Sequence, residues 1–139
     1  MNIPSSPVQS LEIVGSLEEE RYLVRVDGVN VPLTAKSFLY LTRLAHFRTQ
    51  REGGWVWKEE IEPGFNQARY LYRMKNEISE VTLVSWNGVE NQRPGYYRLN
   101  AEPRGIKFNV ENLMVHPDYM INSLFLKSRE RVPEAHKNL

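Results

Sequence analysis

A small α+β fold is predicted, with antiparallel strands first, three helices next, a β-hairpin after them and a helical extension at the end. Three observations predict it. Asp27-Gly28 lies between two β-prone runs, residues 35–50 and 66–78 carry apolar residues at helical spacing, and Arg93-Pro94-Gly95 interrupts a second strand-like stretch.

The bulk properties suit such a fold. A chain of 139 residues with 41% hydrophobic, 11% aromatic and 25% charged residues can bury a real core and does not read as disordered. There is no cysteine, which excludes disulfides, thiolate chemistry and cysteine zinc sites. The first ten residues, MNIPSSPVQS, have neither a basic nor an apolar leader region, and no apolar run is long enough to cross a bilayer, so a cytoplasmic protein is expected. A net charge of +1 leaves any nucleic-acid binding to a local patch of cations.

Residues 1–10 read as a loose terminus, followed by a domain over residues 11–100 and an extension over residues 101–139. Leu11 opens a β-prone run, Glu18 to Glu20 form a solvated turn, and Arg21 to Leu33 make a hairpin around Asp27-Gly28. Thr34 is placed as the N-cap of the first helix, its hydroxyl taking up orphan amides, and Gly53-Gly54 ends that helix. Trp55 to Trp57 are extended, Lys58 to Glu62 form a short second helix, and Pro63-Gly64 breaks it. The third helix starts with Asn66 as N-cap and Phe65 stapled to Tyr70, and runs to about Ser79 with Ala68, Leu71, Met74 and Ile78 on its apolar stripe. Val81 to Trp86 read as a strand, and Val89 to Leu99 as a hairpin whose tip lies at Asn87-Gly88 or at Arg93-Pro94-Gly95. Beyond Asn100, Ile106 to Val110 suggest a strand. Residues 118–131 suggest a helix entered through His116-Pro117-Asp118, with frayed residues after it.

Four short stretches, Leu33 to Phe38, Gly54 to Ile61, Leu71 to Lys75 and Val89 to Leu99, stand in this order, and over roughly residues 20–100 the chain thereby resembles the OmpR/PhoB-type winged helix-turn-helix domains. Leu33-Thr34-Ala35-Lys36-Ser37-Phe38 with Leu41, Leu44 and Ala45 is similar to the family's first helix, and Gly54-Trp55-Val56-Trp57-Lys58-Glu59-Glu60-Ile61 to its second. Leu71-Tyr72-Arg73-Met74-Lys75 falls where the family has its recognition helix, and Val89-Glu90-Asn91 with Arg93 to Leu99 resembles its wing. Asn76 and Glu77 stand where the family often has further basic residues, and Pro94 and Tyr96 where its wing often has glycine. No receiver region is read in the chain, so two-component signalling is not implied.

The resemblance implies a winged helix-turn-helix with N-terminal antiparallel strands, a three-helix core, a β-hairpin wing and a C-terminal helical extension. It also implies binding of double-stranded DNA and a role in transcriptional regulation. The expected contacts are Asn66, Arg69, Tyr70, Arg73 and Asn76 on the helix over residues 66–78, and Arg93 and Arg98 on the wing over residues 89–99, because such side chains donate to phosphates and base edges. Ordinary solvated polar faces are the alternative for both elements. Arg43, Arg48 and Arg51 read first as solubilising cations and second as phosphate contacts. Trp55, Trp57 and Trp86 read as packing residues, and His46, His116 and His136 lack metal-like spacing. No phosphate loop, nucleophile elbow or acid–base pair stands out, so neither an enzyme nor a cofactor is expected. The extension either covers the domain or pairs two protomers into a homodimer. The rival reading is a winged-helix protein-interaction module that does not bind DNA, suggested by the near-neutral charge, by Glu77 and Glu90, and by Tyr70, Tyr72, Tyr96 and Tyr97.

Overall fold

The structure, a computed structural model, describes residues 7–126 and is a mixed α+β fold. Strands β1 (Leu11–Glu18), β2 (Arg21–Val26) and β3 (Val29–Leu33) lead into helix α1 (Ala35–Gln50), the short strand β4 (Val56–Trp57) and the short helix α2 (Lys58–Ile61). Helix α3 (Gln67–Thr82), strands β5 (Val89–Arg93) and β6 (Tyr96–Leu99), a 3₁₀ turn (Pro103–Gly105), strand β7 (Ile106–Phe108) and helix α4 (Val110–Met114) follow. A last helical segment, α5, covers residues 119–126.

Two sheets result. The larger has the order β3-β2-β1-β7, antiparallel except for β7, which lies parallel to β1. Its β2–β3 turn is tight because Asp27 and Gly28 both take positive φ, 48° and 83°, as the favoured hairpin turn requires. Asn30, Arg25, Glu12 and Lys107 face one another in register across the four strands, and Arg25 bonds both Asn30 and Glu12 at 2.8 Å. The smaller sheet has the order β4-β6-β5 and turns at Pro94-Gly95, which settles where its tip lies.

One core joins these layers. Ile13, Val24 and Leu33 of the large sheet, Phe38, Leu41 and Leu44 of α1, and Leu71, Met74 and Ile78 of α3 are all buried in it. Residues after 100 belong to the same core: Ile106, Leu113, Ile121 and Phe125 are buried with the rest. Arg43 donates to Met120 O at 2.7 Å and to Glu60 O at 2.6 Å, and Arg48 donates to Ala101 O at 2.9 Å. The α1 arginines are therefore ties between distant segments and not the solubilising surface expected of them. Arg51 is committed too, to Glu60 and Trp55 O.

Several local expectations are corrected. Residues 7–10 are anchored: Val8 is buried and donates to Asn100 O, and Asp27 Oδ1 accepts from the amides of Gln9 and Ser10. Residues 1–6 lie outside the described part. Val81 and Thr82 do not begin a strand but finish α3, where Thr82 Oγ1 bonds back to Ile78 O, and no strand partner exists for Leu83 and Val84 among the described residues. No staple forms at the start of α3, because Phe65 is 88% exposed. Asn66 adopts the left-handed conformation without a side-chain cap, and Gln67 closes the α2–α3 turn by donating to Glu62 O and Gly64 O. The apolar stripe accordingly includes buried Gln67 and leaves Ala68 exposed. Strand β7 stops at Phe108, since Asn109 caps α4 by accepting from the Asn112 amide. The helix expected over residues 118–131 begins at 119, with Asp118 accepting at its first turn. Its part beyond 126, the frayed end and His136 lie outside the described residues.

Candidate nucleic-acid interface

Helix α3 presents two different faces because its inner residues are held at both ends. Leu71, Met74 and Ile78 are buried against α1 and β3, which fixes the rotation of the helix about its own axis. The face this turns to solvent carries Arg69, Tyr72, Arg73 and Asn76, all exposed and spaced at three and four residues. Tyr72 is 67% exposed, whereas Tyr70, the tyrosine favoured from the sequence, packs its ring 5.6 Å from Tyr40 beneath Lys36. The i+3 spacing from Arg69 was the available signal for Tyr72. Asn66 is exposed at the helix entrance.

Behind that face lies a polar cluster at the α2–α3 turn. Glu62 accepts from Tyr40 Oη at 2.8 Å and pairs with Lys36. Burial pushes the Tyr40 hydroxyl far above its ordinary value and the Glu62 carboxylate adds to it, so Tyr40 stays a neutral donor. The cluster and the two Gln67 bonds make the entrance to α3 rigid.

Glu77 is turned away from the exposed face. Its carboxylate accepts from the Thr34 amide, the Thr34 hydroxyl and the Ser37 hydroxyl at the start of α1, with Arg21 3.8 Å away. The Thr34 hydroxyl therefore serves Glu77 and does not cap its own helix as expected. Glu90 is likewise engaged inside the small sheet, paired with Arg98.

The β5–β6 hairpin is compact. Its turn lies level with the start of α2, where the Lys58 amide donates to Gly95 O at 2.7 Å. Arg93 is exposed and stacks 4.2 Å over the Tyr96 ring. Arg98 is not presented alongside it: it donates to Gly53 O at 3.1 Å, pairs with Glu90 and covers the Trp55 ring at 4.6 Å. Trp57 lies 5.0 Å from Tyr96 with Lys58 over its ring, so the outer side of the small sheet is a layer of aromatic rings under cations. Of the seven residues expected at the interface, Arg69, Arg73 and Asn76 share one face. Asn66 and Arg93 are exposed at the helix entrance and the hairpin, while Tyr70 and Arg98 are engaged internally.

Among the described residues no group of three or more His, Asp or Glu side chains could hold a metal ion, and no helix is long and apolar enough to cross a membrane. Compared with protein-family models, with curated proteins and with solved structures, the chain matches none.

Proposed function

We propose that this chain is a winged helix-turn-helix protein of OmpR/PhoB type that binds double-stranded DNA and regulates transcription in the cytoplasm. In this reading α3 enters the major groove and the β5–β6 hairpin lies on the flanking backbone as the wing. The observation that carries it is the row Arg69, Tyr72, Arg73 and Asn76 on a helix whose opposite side is locked into the core. Arginine and asparagine donate to phosphates and base edges, and tyrosine adds a flat apolar contact. The inward turn of Glu77 and the pairing of Glu90 support the same reading, since neither opposes a phosphate from the exposed row.

A second reading has its own support. Trp55, Trp57, Tyr96 and Arg98 on the outer side of the small sheet are residue types that dominate protein interfaces, which favours an interaction module built on this fold.

Anisotropy of a labelled mixed-sequence duplex, titrated at two salt concentrations, separates the two. Binding that weakens with salt is expected, and the Arg69→Ala, Arg73→Ala double variant should lower the logarithmic salt slope by about two, one phosphate for each arginine. Absence of binding at low salt would overturn the DNA reading in favour of the interaction module.

A further inference from the structure

Tyr70 stands at the border between the two faces of α3, half-buried, with its amide donating to Asn66 O at 3.1 Å. One turn further on, Arg73 is exposed, and its guanidinium carbon lies 5.9 Å from the centre of the Tyr70 ring. Residues three apart on a helix are neighbours, and a cation within about 6 Å of a ring is drawn to its π-face. Among the described residues this ring is the partner that the Arg73 side chain has. Glu77, the i+4 carboxylate that would compete for Arg73 on an isolated helix, is turned to Thr34 and Ser37.

The ring that holds Arg73 is itself held. Tyr40, fully buried, packs its ring 5.6 Å from that of Tyr70 at an angle of 52°. The Tyr40 hydroxyl donates to Glu62 at 2.8 Å, and Glu62 also pairs with Lys36, whose ammonium lies 5.1 Å from the Tyr70 ring centre. One carboxylate thus fixes both groups that pack on Tyr70. Arg69, on the same exposed row, has no such support: among the described residues its side chain meets no ring, carboxylate or hydrogen-bond acceptor.

We propose that Tyr70 is a positioning residue for Arg73. Its ring, pinned through Tyr40 to Glu62, orders the arginine before a duplex arrives, and the phosphate meets a guanidinium already aimed. Arg69 is ordered only on contact. The inference rests on the duplex-binding reading, which supplies the phosphate. Immobilising a long side chain on binding weakens affinity roughly two- to tenfold, and an arginine ordered in advance is spared that loss. The ring supplies the hold and the Tyr70 hydroxyl has no part in it, which separates positioning from direct contact with DNA.

Anisotropy of a labelled mixed-sequence duplex tests this with Tyr70→Phe and Tyr70→Leu, each checked for an intact melting transition. Tyr70→Phe should bind as the wild type does. Tyr70→Leu should bind roughly two- to tenfold more weakly at an unchanged logarithmic salt slope, because both arginines still neutralise their phosphates. Combined with Arg73→Ala the same replacement should cost nothing further, whereas combined with Arg69→Ala its effect should persist. Equal losses from both Tyr70 variants would put the hydroxyl on the DNA, and a Tyr70→Leu loss that survives Arg73→Ala would make Tyr70 a packing residue. Either result overturns the proposal, as does a Tyr70→Leu protein that binds like the wild type.

The ordering is read without DNA from the heteronuclear NOE of the Arg73 Nε–Hε pair in the full chain. In the wild type it should be higher for Arg73 than for Arg69, a comparison that needs no variant, and it should fall in Tyr70→Leu. Equal mobility of the two arginines in a protein that binds the duplex would sink the positioning alone. An ordered Arg73 in a wild type that binds no duplex would sink the duplex reading alone.

Discussion

The carboxylate of Glu77, near the end of α3, accepts from the backbone amide of Thr34 at 2.9 Å and from its hydroxyl at 2.8 Å. One side chain thereby satisfies an orphan donor at the start of α1, places a negative charge at that helix's positive end, and couples the orientation of α3 to α1. The charge that would weaken the proposed DNA-binding face instead fixes how that face is turned.

Glu77→Ala should therefore destabilise the protein by about 2 kcal/mol, since it leaves the part-buried Thr34 amide without its acceptor and the Thr34 hydroxyl with Ser37 Oγ alone. Urea unfolding measures this directly. A double-mutant cycle with Thr34→Ala should show that the two losses are not additive. Additive losses would mean that the contact contributes nothing of its own.

Arg43 forks between Met120 O on α5 and Glu60 O on α2, and its guanidinium lies 5.3 Å from the Phe47 ring centre. Arg43→Lys keeps the charge but loses the fork, and should cost about 2–3 kcal/mol by leaving a carbonyl unpaired. Limited proteolysis should find new cleavage around residues 115–126 in the variant. An unaltered digestion pattern with unaltered stability would show that α5 is held by its apolar contacts alone.

Much of this architecture could be read from local chemistry. Asp27-Gly28 makes its hairpin through dihedrals that few other pairs tolerate, and the leucines of α1 and α3 keep helical period because one face of each is buried. The misreadings came where a distant partner decides. Val81 and Thr82 favour strands, yet with no neighbouring strand among the described residues to pair with they stay in the helix that precedes them. Gln67 occupies a core position because its amide bridges two carbonyls of the preceding turn, a role that hydrophobic periodicity cannot register. That choice settles which tyrosine faces solvent, Tyr72 and not Tyr70. Arg98, Arg48 and Arg43 could not be told from free cations, because the carbonyls they bind lie 45, 53 and 77 residues away in the chain.

At the tip of the hairpin, Gly95 meets two demands at once. Its φ is +86°, and a Cβ there would lie 2.4 Å from Trp57 Cζ3. Gly95→Ala should cost about 2 kcal/mol or more from backbone strain together with displacement of the indole. If the indole shifts off Gly95, Trp57 fluorescence should move as well. A variant as stable as the wild type would show that the Trp57 packing is loose and that the hairpin is not pinned to α2.

The stability of the fold should also depend on pH through His46, which sits 5.9 Å from the Phe125 ring at the α1–α5 contact. Burial pushes its imidazole down from 6.5 to about 4, and the neighbouring Arg43 and Arg51 add repulsion against a second positive charge. The folded state therefore takes up the proton later than the unfolded chain does. Stability from this group is fully present above pH 6.5 and is lost progressively as pH falls toward 4. Burial depresses His116 in the same direction, against partial opposition from Asp118, so the two histidines act together. Thermal unfolding between pH 7 and 4 should show a falling midpoint, and His46→Gln, which cannot titrate, should make the fall shallower. Carboxylate titration is common to both proteins and cancels in the comparison. Superimposable pH profiles would mean that His46 can be protonated without loosening the contact between α1 and α5.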